Sequence, residues 1–309
     1  MTAVAGEPSD TPVARSGEGQ LTGVLVIDKP IGPTSFDIVR QVRRALQVRR
    51  VGHGGTLDPM ASGVLPICIG EATKLAQFLL DADKEYEATL CFGVETDTYD
   101  AMGVVTQRRD ASGLTAAAVE NALGSFRGPI QQVPPRHSAL KLKGRPLYEY
   151  ARAGIPVEPA VRGVVIHELV LLGWSDPASV ALRIRCSKGT YIRSLAFDLG
   201  RALGPGAHLT ALRRTRSGPF RIEEAHPLTA VAAAPLVGLS QALAHLPALR
   251  AGDAATRDLQ QGKRVARAAL EPADAALAGR FQILRPDGSL LAVAERRDDD
   301  TLRTLRVFN

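Results

Sequence analysis

The sequence has few cysteines and no long apolar run. Cys68, Cys91 and Cys186 lie far apart in apolar surroundings, and no two have the spacing of metal ligands. This pattern favours buried, reduced thiols over a disulfide framework or a zinc site. No segment approaches the roughly 20 apolar residues that a membrane-spanning helix needs, and residues 1–20 lack the regions of a secretory signal. We therefore predict a cytoplasmic protein, outside the membrane, with residues 1–20 as a disordered leader.

Positive charge is present in excess and is unevenly distributed. The 309 residues carry a net charge of +6. Residues 37–50 contain five arginines and one aspartate, residues 126–154 six basic residues and one glutamate, and residues 183–216 eight basic residues and one aspartate. A solvated helix face would explain any one of these segments, but the three together favour a polyanionic partner.

Hydrophobic patterning predicts an α+β fold. Short apolar or alternating runs predict strands at 21–30, 64–69, 85–94 and 179–187. Helical spacing predicts helices near 34–46, 72–80, 114–125 and 191–203, and Thr34 with Asp37 fits a capping box at the first. An Ala-, Pro- and Leu-rich connection separates a large domain, residues 21–240, from a small β-rich domain, residues 247–309.

One carboxylate lies in an unusually constrained loop. The stretch GHGGTLDPMASGVLPICIG, residues 52–70, places Asp58 among glycines and a proline, just before an apolar strand. Such a carboxylate can serve as a nucleophile or general base. It can equally cap a turn, and the loop considered alone favours the cap.

Other side chains leave two interpretations open. Tyr86 in DKEYEA could stack on a base or fill the core. Arg193, at a helix start beside Tyr191, could pair with a carboxylate and keep it ionised, or face solvent. Asp97 and Asp100 suggest a metal, but their spacing matches no calcium loop and favours turn chemistry.

Five separate motifs together resemble the bacterial tRNA pseudouridine synthases of the TruB type, which act on uridine 55 of the T-loop. The motifs are VLVIDKPIGPTSFDIV, GHGGTLDPMASGVLPICIGEATK, DKEYEATLCFGVETDTYDAMG, SALKLKGRPLYEYARAG and CSKGTYIRSLAFDLG, and they occur in the family's order over residues 21–216. The resemblance implies a mixed-sheet catalytic domain, an RNA-gripping thumb at about residues 126–154 and a C-terminal domain of the PUA type.

The resemblance also assigns site residues. Asp58 matches the catalytic aspartate, which initiates isomerisation of a flipped-out uridine; attack on the sugar, attack on the base and removal of a sugar proton all fit the loop. The substrate positions fall on His53, Lys29, Lys74, Tyr86, Tyr191, Arg193 and Leu212, with Lys29 in a motif that supports the active-site loop. RNA contacts are expected from Lys141, Lys143, Arg145, Arg213 and Arg214.

The implied partner is the T-stem-loop of tRNA, with neither a metal nor an organic cofactor and with a monomer as the default state. Assistance with tRNA folding is compatible with this function. Three other functions compete with it: a dyskerin-type enzyme in a guide-RNA particle, an RNA-folding chaperone without chemistry, and a nuclease that uses Asp97 and Asp100.

Overall fold

The computed structural model describes residues 15–16, 20–176, 179–272, 279–297 and 302–308. The strands are β1 (Arg15–Ser16), β2 (Gln20–Leu21), β3 (Gly23–Lys29), β4 (Val51–His53), β5 (Ala61–Ile69), β6 (Lys84–Phe92), β7 (Val94–Thr96), β8 (Val105–Arg108), β9 (Gly128–Gln132), β10 (Lys141–Leu142), β11 (Arg145–Pro146), β12 (Arg162–Asp176), β13 (Ser179–Cys186), β14 (Ala207–Ser217), β15 (Phe220–Arg221), β16 (Ala248–Ala251), β17 (Leu270–Glu271), β18 (Arg280–Leu284), β19 (Leu290–Arg296) and β20 (Leu302–Val307). The α-helices are α1 (Ser35–Ala45), α2 (Ala76–Leu80), α3 (Ala116–Leu123), α4 (Leu147–Arg152), α5 (Ile192–Leu203) and α6 (Asp253–Gln260).

A nine-stranded mixed sheet forms the centre of the large domain. Its order is β3-β5-β14-β6-β13-β12-β9, with β4 added beside β5 and β15 beside β14. Strands β14 and β5 run parallel, whereas β6 is antiparallel to both of its neighbours. Alternate residues of β6, including Tyr86 and Leu90, are buried in one core with side chains of α1, α3 and α5. The predicted α+β class and mixed sheet are confirmed.

Helix α1 begins with the predicted capping box. The Thr34 hydroxyl accepts a bond from the Asp37 amide at 3.1 Å, and the Asp37 carboxylate accepts one from the Thr34 amide at 2.9 Å. The helix buries Ile38 and Val42, whereas Phe36 is exposed beneath Arg40. The inward position of that turn is taken by Ser35, which faces the Asp58 loop.

The first part of the segment predicted as the thumb, residues 126–154, forms the edge strand of the sheet. Strand β9 pairs with β12 at the sheet edge, so the projecting part starts only after Gln132. That part contains the β10–β11 hairpin and helix α4. Lys143 and Gly144 form the hairpin turn with φ values of 50° and 84°, which places Lys143 at an exposed tip.

The C-terminal β-rich domain is a five-stranded sheet of order β17-β16-β18-β19-β20 beside α6. Its residues Leu290, Val293 and Phe308 share a hydrophobic cluster with Val26 and Phe78 of the large domain. Burial of a common cluster stabilises the contact between the domains because it removes apolar surface from water. The C-terminal domain is therefore seated on the edge of the large domain formed by β3, β5 and α2.

Three further sequence predictions concern the leader, the cysteines and the membrane. Most of the predicted leader, residues 1–20, falls outside the described residues. All three cysteines are free thiols, and burial raises the pKa of Cys68 to about 12, although Cys91 is only half-buried. Among the described helices, none is long and apolar enough to cross a membrane.

Candidate active site

A cleft of about 530 Å³ lies at the end of the nine-stranded sheet where Asp58 is found. Five parts of the chain form its walls: the loop at 55–58, the segment 80–86, the projecting segment at 138–140, the turn and helix start at 187–193, and strand β14. Among the predicted site residues, the cleft brings together Asp58, Tyr86, Tyr191, Arg193, Leu212 and Arg214.

The Asp58 side chain forms an ion pair with a buried arginine. Asp58 Oδ2 lies 2.9 Å from Arg193 Nε, and the Asp58 side chain is 36% exposed while that of Arg193 is 5% exposed. The carboxylate can therefore meet a ligand from the open side while the guanidinium fixes it from behind. A charge-assisted bond to a distant arginine is a different contact from the local turn cap that the loop alone favours.

Arg193 is itself held on several sides. Its two terminal nitrogens donate to the carbonyls of Thr98 at 3.1 Å and His137 at 3.0 Å. Asp100 Oδ2 lies 3.5 Å from Nη1, and the Asp100 side chain is buried. A planar guanidinium with this many partners has little freedom to rotate, so the orientation of the Asp58 carboxylate is set in advance.

Asp100 was interpreted from sequence as turn chemistry, and this is only half of its role. Its Oδ1 accepts bonds from the Thr98 hydroxyl at 2.7 Å and the Met102 amide at 3.0 Å, as a turn residue does. Its other oxygen is the second carboxylate beside Arg193. Within the described residues, the Asp97 side chain accepts a turn bond from the Val104 amide at 2.8 Å and forms no ion pair with Arg193. The spacing of the two aspartates gave no sign of this difference.

The backbone of the Asp58 loop, residues 54–60, is fixed from helix α1 and strand β3. Ser35 Oγ donates to the Leu57 carbonyl at 3.1 Å and accepts from the Leu57 amide at 2.9 Å. Lys29 Nζ donates to the Ala61 carbonyl at 2.7 Å, and Lys29 is fully buried. Burial lowers the pKa of Lys29 to about 8, and the nearby charge of Asp58 opposes that change. Lys29 therefore supports the loop and does not line the cleft.

Arg214, for which the resemblance implies an RNA contact, fixes the loop from strand β14, and the RNA contact stays a prediction. Its guanidinium is buried, donating to the carbonyls of Gly55 and Thr56 at 3.2 Å each and to that of Val64 at 2.7 Å. It also hydrogen-bonds the Tyr86 side chain. A buried guanidinium with these partners is a positioning group, since a phosphate could reach it only after the loop had moved.

Tyr86 and Tyr191 both line the cleft. Burial raises the pKa of Tyr86, partly offset by the charge of Arg214, so its ring is a neutral aromatic surface. Tyr191 is fixed through its backbone, because Gln132 accepts from its amide at 2.8 Å and donates to its carbonyl at 3.0 Å. Leu212, from β14, adds an apolar contact. A flat base could fit against such walls.

Lys84 is a cleft residue that the sequence did not indicate. Its ammonium donates to the carbonyls of Leu79, Leu80 and Ala82 at 3.2, 2.6 and 2.5 Å, so it caps the end of α2. Burial lowers its pKa to about 8. In the sequence, Lys84 is a lysine at the start of an alternating strand. A lysine at such a position is normally exposed to solvent.

Two further predicted substrate residues, like Lys29, do not line the cleft. His53 lies on β4, where its Nδ1 is buried without a partner among the described residues, and burial lowers its pKa, so the ring is neutral. Lys74 forms an ion pair with Glu71 and lies 5.8 Å from the centre of the Phe308 ring, next to the C-terminal domain. Their roles toward a substrate stay predictions.

The basic segment 183–216 is largely neutralised within the protein. Five of its basic residues pair with carboxylates: Arg183 with Glu168, Lys188 with Asp81, Arg193 with Asp58, Arg201 with Glu95 and Arg213 with Asp28. In the projecting segment, Lys141 and Lys143 are exposed, whereas Arg145 pairs with Glu149 at 2.9 Å. Of these two basic segments, the projecting one therefore offers exposed lysines to a polyanion, and Arg43, Arg44 and Arg49 of the segment 37–50 are exposed as well.

Across the part of the chain that the structure describes, no group of three or more His, Cys, Asp or Glu side chains is arranged to hold a metal ion. Asp58 instead has a guanidinium as its partner. The chemistry that this arrangement supports is nucleophilic or base catalysis by one positioned carboxylate beside an aromatic wall.

Proteins of similar sequence are named as pseudouridine synthases. A tRNA pseudouridine synthase B from Aromatoleum aromaticum is 54% identical over 227 residues, which are 74% of this chain and 73% of that protein. Another from Burkholderia pseudomallei is 50% identical over 283 residues, 89% of this chain and 93% of that protein.

Solved structures and family models agree with these relatives. A Cbf5–Nop10–Gar1 complex contains a chain of 27% identity with a TM-score of 0.75, and an H/ACA particle bound to a substrate RNA contains one of 25% identity with a TM-score of 0.72; each comparison covers 93% of this chain and 85% of the other. Residues 43–192 match the N-terminal domain of the TruB family pseudouridylate synthases, and residues 193–278 match the C-terminal domain of tRNA pseudouridylate synthase B. With Asp58 and its arginine partner in place, the chain belongs to the TruB family of pseudouridylate synthases.

Proposed function

We propose that this enzyme isomerises uridine to pseudouridine in tRNA, at position 55 of the T-loop, and that Asp58 initiates the reaction. The observation that carries the proposal is the ion pair between Asp58 and the buried Arg193 in a cleft that Tyr86 walls. The relatives named tRNA pseudouridine synthase B support tRNA as the substrate. The T-loop position rests on the resemblance of the motifs.

The reaction requires a base to leave its stack, turn over and reattach. The bond between C1′ and N1 breaks, the uracil rotates, and a bond between C1′ and C5 forms; C5 loses a proton and N1 gains one, so the composition is unchanged. Unstacking costs a few kcal/mol. The aromatic face of Tyr86 offsets this cost because a stacked base in the cleft is worth about 1–3 kcal/mol.

The protein contributes chiefly by holding Asp58 still. Arg193 fixes the Asp58 carboxylate. Ser35 bonds the backbone of Leu57, and Arg214 bonds the carbonyls of Gly55 and Thr56. A reacting group held in place needs no ordering in the transition state, and correct alignment can contribute about 7–11 kcal/mol to a barrier.

The first experiment uses a T-arm stem-loop that carries tritium at C5 of its uridines. Wild-type protein should release tritium from one uridine, without an added guide RNA and in the presence of EDTA. Asp58→Asn keeps the shape of the side chain but removes its charge and nucleophilicity, so release should fall to background while filter binding of the same RNA persists.

The matched control is Asp97→Asn, the same substitution at a turn residue outside the cleft, which should keep full turnover. Near-normal release by Asp58→Asn would disprove the role of Asp58. Binding by the wild type without release from any tRNA uridine would favour the chaperone function. Release that requires a second RNA would favour a guide-dependent enzyme, and release that requires a divalent metal would contradict the metal-free chemistry.

A further inference from the structure

Asp81 links the C-terminal β-rich domain to the rim of the cleft. Its Oδ1 accepts a bond from Lys188 Nζ at 2.8 Å, and its Oδ2 pairs with Arg280 Nη1. Arg280 is the first residue of β18 in the C-terminal domain. Lys188 lies in the turn at 187–190, where its neighbours Ser187 and Gly189 line the cleft. One carboxylate therefore bridges two cations from different domains.

The bridging carboxylate is carried by a stiff segment. Lys84 bonds three carbonyls of the turn that contains Asp81. Leu80, the preceding residue, lines the cleft. Hydrogen bonds and charges from Lys188 and Arg280 lower the pKa of Asp81 against the opposing effect of burial, as expected for a carboxylate shared by two cations. Movement of either cation is thus resisted by a turn that cannot easily follow it.

Arg280 is in turn fixed by the seating of its domain. Its guanidinium lies 5.7 Å from the centre of the Phe78 ring in α2. Phe78 belongs to the hydrophobic cluster that both domains share, together with Leu290 and Phe308. The position of Arg280 therefore depends on how the C-terminal domain packs against the large domain.

We propose that Arg280 is a positioning residue for the substrate cleft: through Asp81 it holds Lys188, and with it the turn 187–190 that leads to Tyr191. The C-terminal domain then shapes the cleft rim even for an RNA too short to touch that domain. This proposal rests on the proposed function only in taking the cleft as the place where the target uridine binds.

The expected effect is modest because the three side chains are partly exposed. Their side-chain exposures are 32% for Asp81, 38% for Arg280 and 60% for Lys188. Ion pairs of this kind change equilibria by about two- to five-fold. The coupling should therefore appear as a few-fold change in local opening and in KM, with kcat retained because the Asp58 loop is held by other partners.

The test combines amide hydrogen exchange of the full-length protein with steady-state kinetics on the T-arm stem-loop. Arg280→Ala should speed exchange of the 187–191 segment by about two- to five-fold and raise KM by a similar factor. Arg280→Lys should restore both toward wild type. Asp81→Asn, which weakens both pairs at once, should reproduce the effect if it acts through the bridge.

The matched control is Arg303→Ala, which removes an ion pair to Glu295 that lies wholly within the C-terminal domain. It should leave both measurements unchanged. Unchanged exchange at 187–191 in Arg280→Ala would overturn the proposal, and so would faster exchange with an unchanged KM. If the wild type fails to turn over the stem-loop, the proposed function fails, while the exchange result still decides the coupling.

Discussion

Ser35 Oγ donates to the carbonyl of Leu57 at 3.1 Å and accepts from its amide at 2.9 Å, so the residue next to Asp58 is held on both of its backbone groups. The two residues are 22 positions apart, and both are buried. A single hydroxyl thus joins the start of α1 to the Asp58 loop. Loss of this contact should affect the position of the Asp58 loop, whereas loss of the neighbouring helix cap should affect the stability of α1.

Ser35→Ala should lower kcat by about ten-fold or more, because it leaves two backbone groups of the loop unpaired and small misplacements of a reacting group are costly. Binding of tRNA should change little, since Ser35 does not line the cleft. Single-turnover kinetics with a parallel filter-binding titration would measure both quantities.

The control is one residue earlier. Thr34→Ala removes the N-cap of α1 and should cost about 1 kcal/mol of stability without touching the loop. If Thr34→Ala and Ser35→Ala lower kcat equally, the effect comes from the helix as a whole, and the specific contact has no catalytic importance.

Arg214 provides a second prediction, which tests the shape of a guanidinium against its charge. Arg214→Lys keeps a cation but cannot reach the carbonyls of Gly55, Thr56 and Val64 together. Buried polar groups left unpaired cost about 1–3 kcal/mol each. We expect a lower Tm in thermal unfolding and a kcat reduced by at least ten-fold.

Arg213→Lys is the neighbouring control, because Arg213 is partly exposed and pairs with Asp28. It should change Tm and kcat little. A wild-type kcat in a folded Arg214→Lys protein would show that a positive charge alone suffices at this position and that the bonds to the loop are dispensable.

Local pattern predicted much of this fold, whereas the contacts that fix the loop came from long-range geometry. The alternation of β6 and the amphipathic spacing of α5 are local properties, and both elements form where expected. The motif resemblance assigned Asp58, Tyr86 and Arg193 to one site, and all three line the same cleft. The sequence around Ser35 indicated a helix start but gave no hint that its hydroxyl would meet Leu57.

Arg214 shows why such contacts escape prediction. Among other arginines it resembles a solvated residue, and only the parallel pairing of β14 with β5 buries it, opposite Gly63. A Cβ on Gly63, whose φ is +103°, would lie 2.2 Å from the Arg214 carbonyl oxygen, so this close approach needs glycine. Neither the strand order nor the register can be obtained from a single segment.

The third prediction concerns the exposed lysines of the projecting segment. Lys141 and Lys143 face solvent at the hairpin, whereas most basic residues of 183–216 are paired within the protein. Lys141→Gln with Lys143→Gln should weaken tRNA binding and reduce the slope of log K against log salt by about 0.7–0.9 for each lost phosphate contact. Filter binding at several salt concentrations measures this slope.

A double variant with the same change in net charge tests whether position matters. Arg183→Gln with Arg303→Gln removes two cations that pair with Glu168 and Glu295. If both double variants reduce the slope equally, binding depends on overall charge. An unchanged slope in the lysine variant would mean that the hairpin does not contact phosphate.

The fourth prediction uses Asp198 in α5, a carboxylate that the proposed mechanism does not need. Burial raises its pKa from an ordinary 3.8 to about 6, and the charge of Arg201 opposes this only in part. The folded protein therefore binds this proton more tightly than the unfolded chain. Its contribution to stability is favourable at low pH and is lost as pH rises from about 4 to about 6.

Asp198→Asn removes the charge and therefore abolishes the loss of stability that the wild type shows as pH rises. At pH 7.5 the variant should be more stable than wild type by about 1 kcal/mol, a value discounted for the partial exposure of the side chain. At pH 4.5 the gain should be about a third as large, because only the first part of the wild-type loss between the unfolded and folded pKa values has then occurred. Denaturant unfolding at the two pH values measures the difference, with the exposed Asp258→Asn as the control. An equal gain at both pH values would contradict a buried charge as the cause and point instead to altered packing of α5.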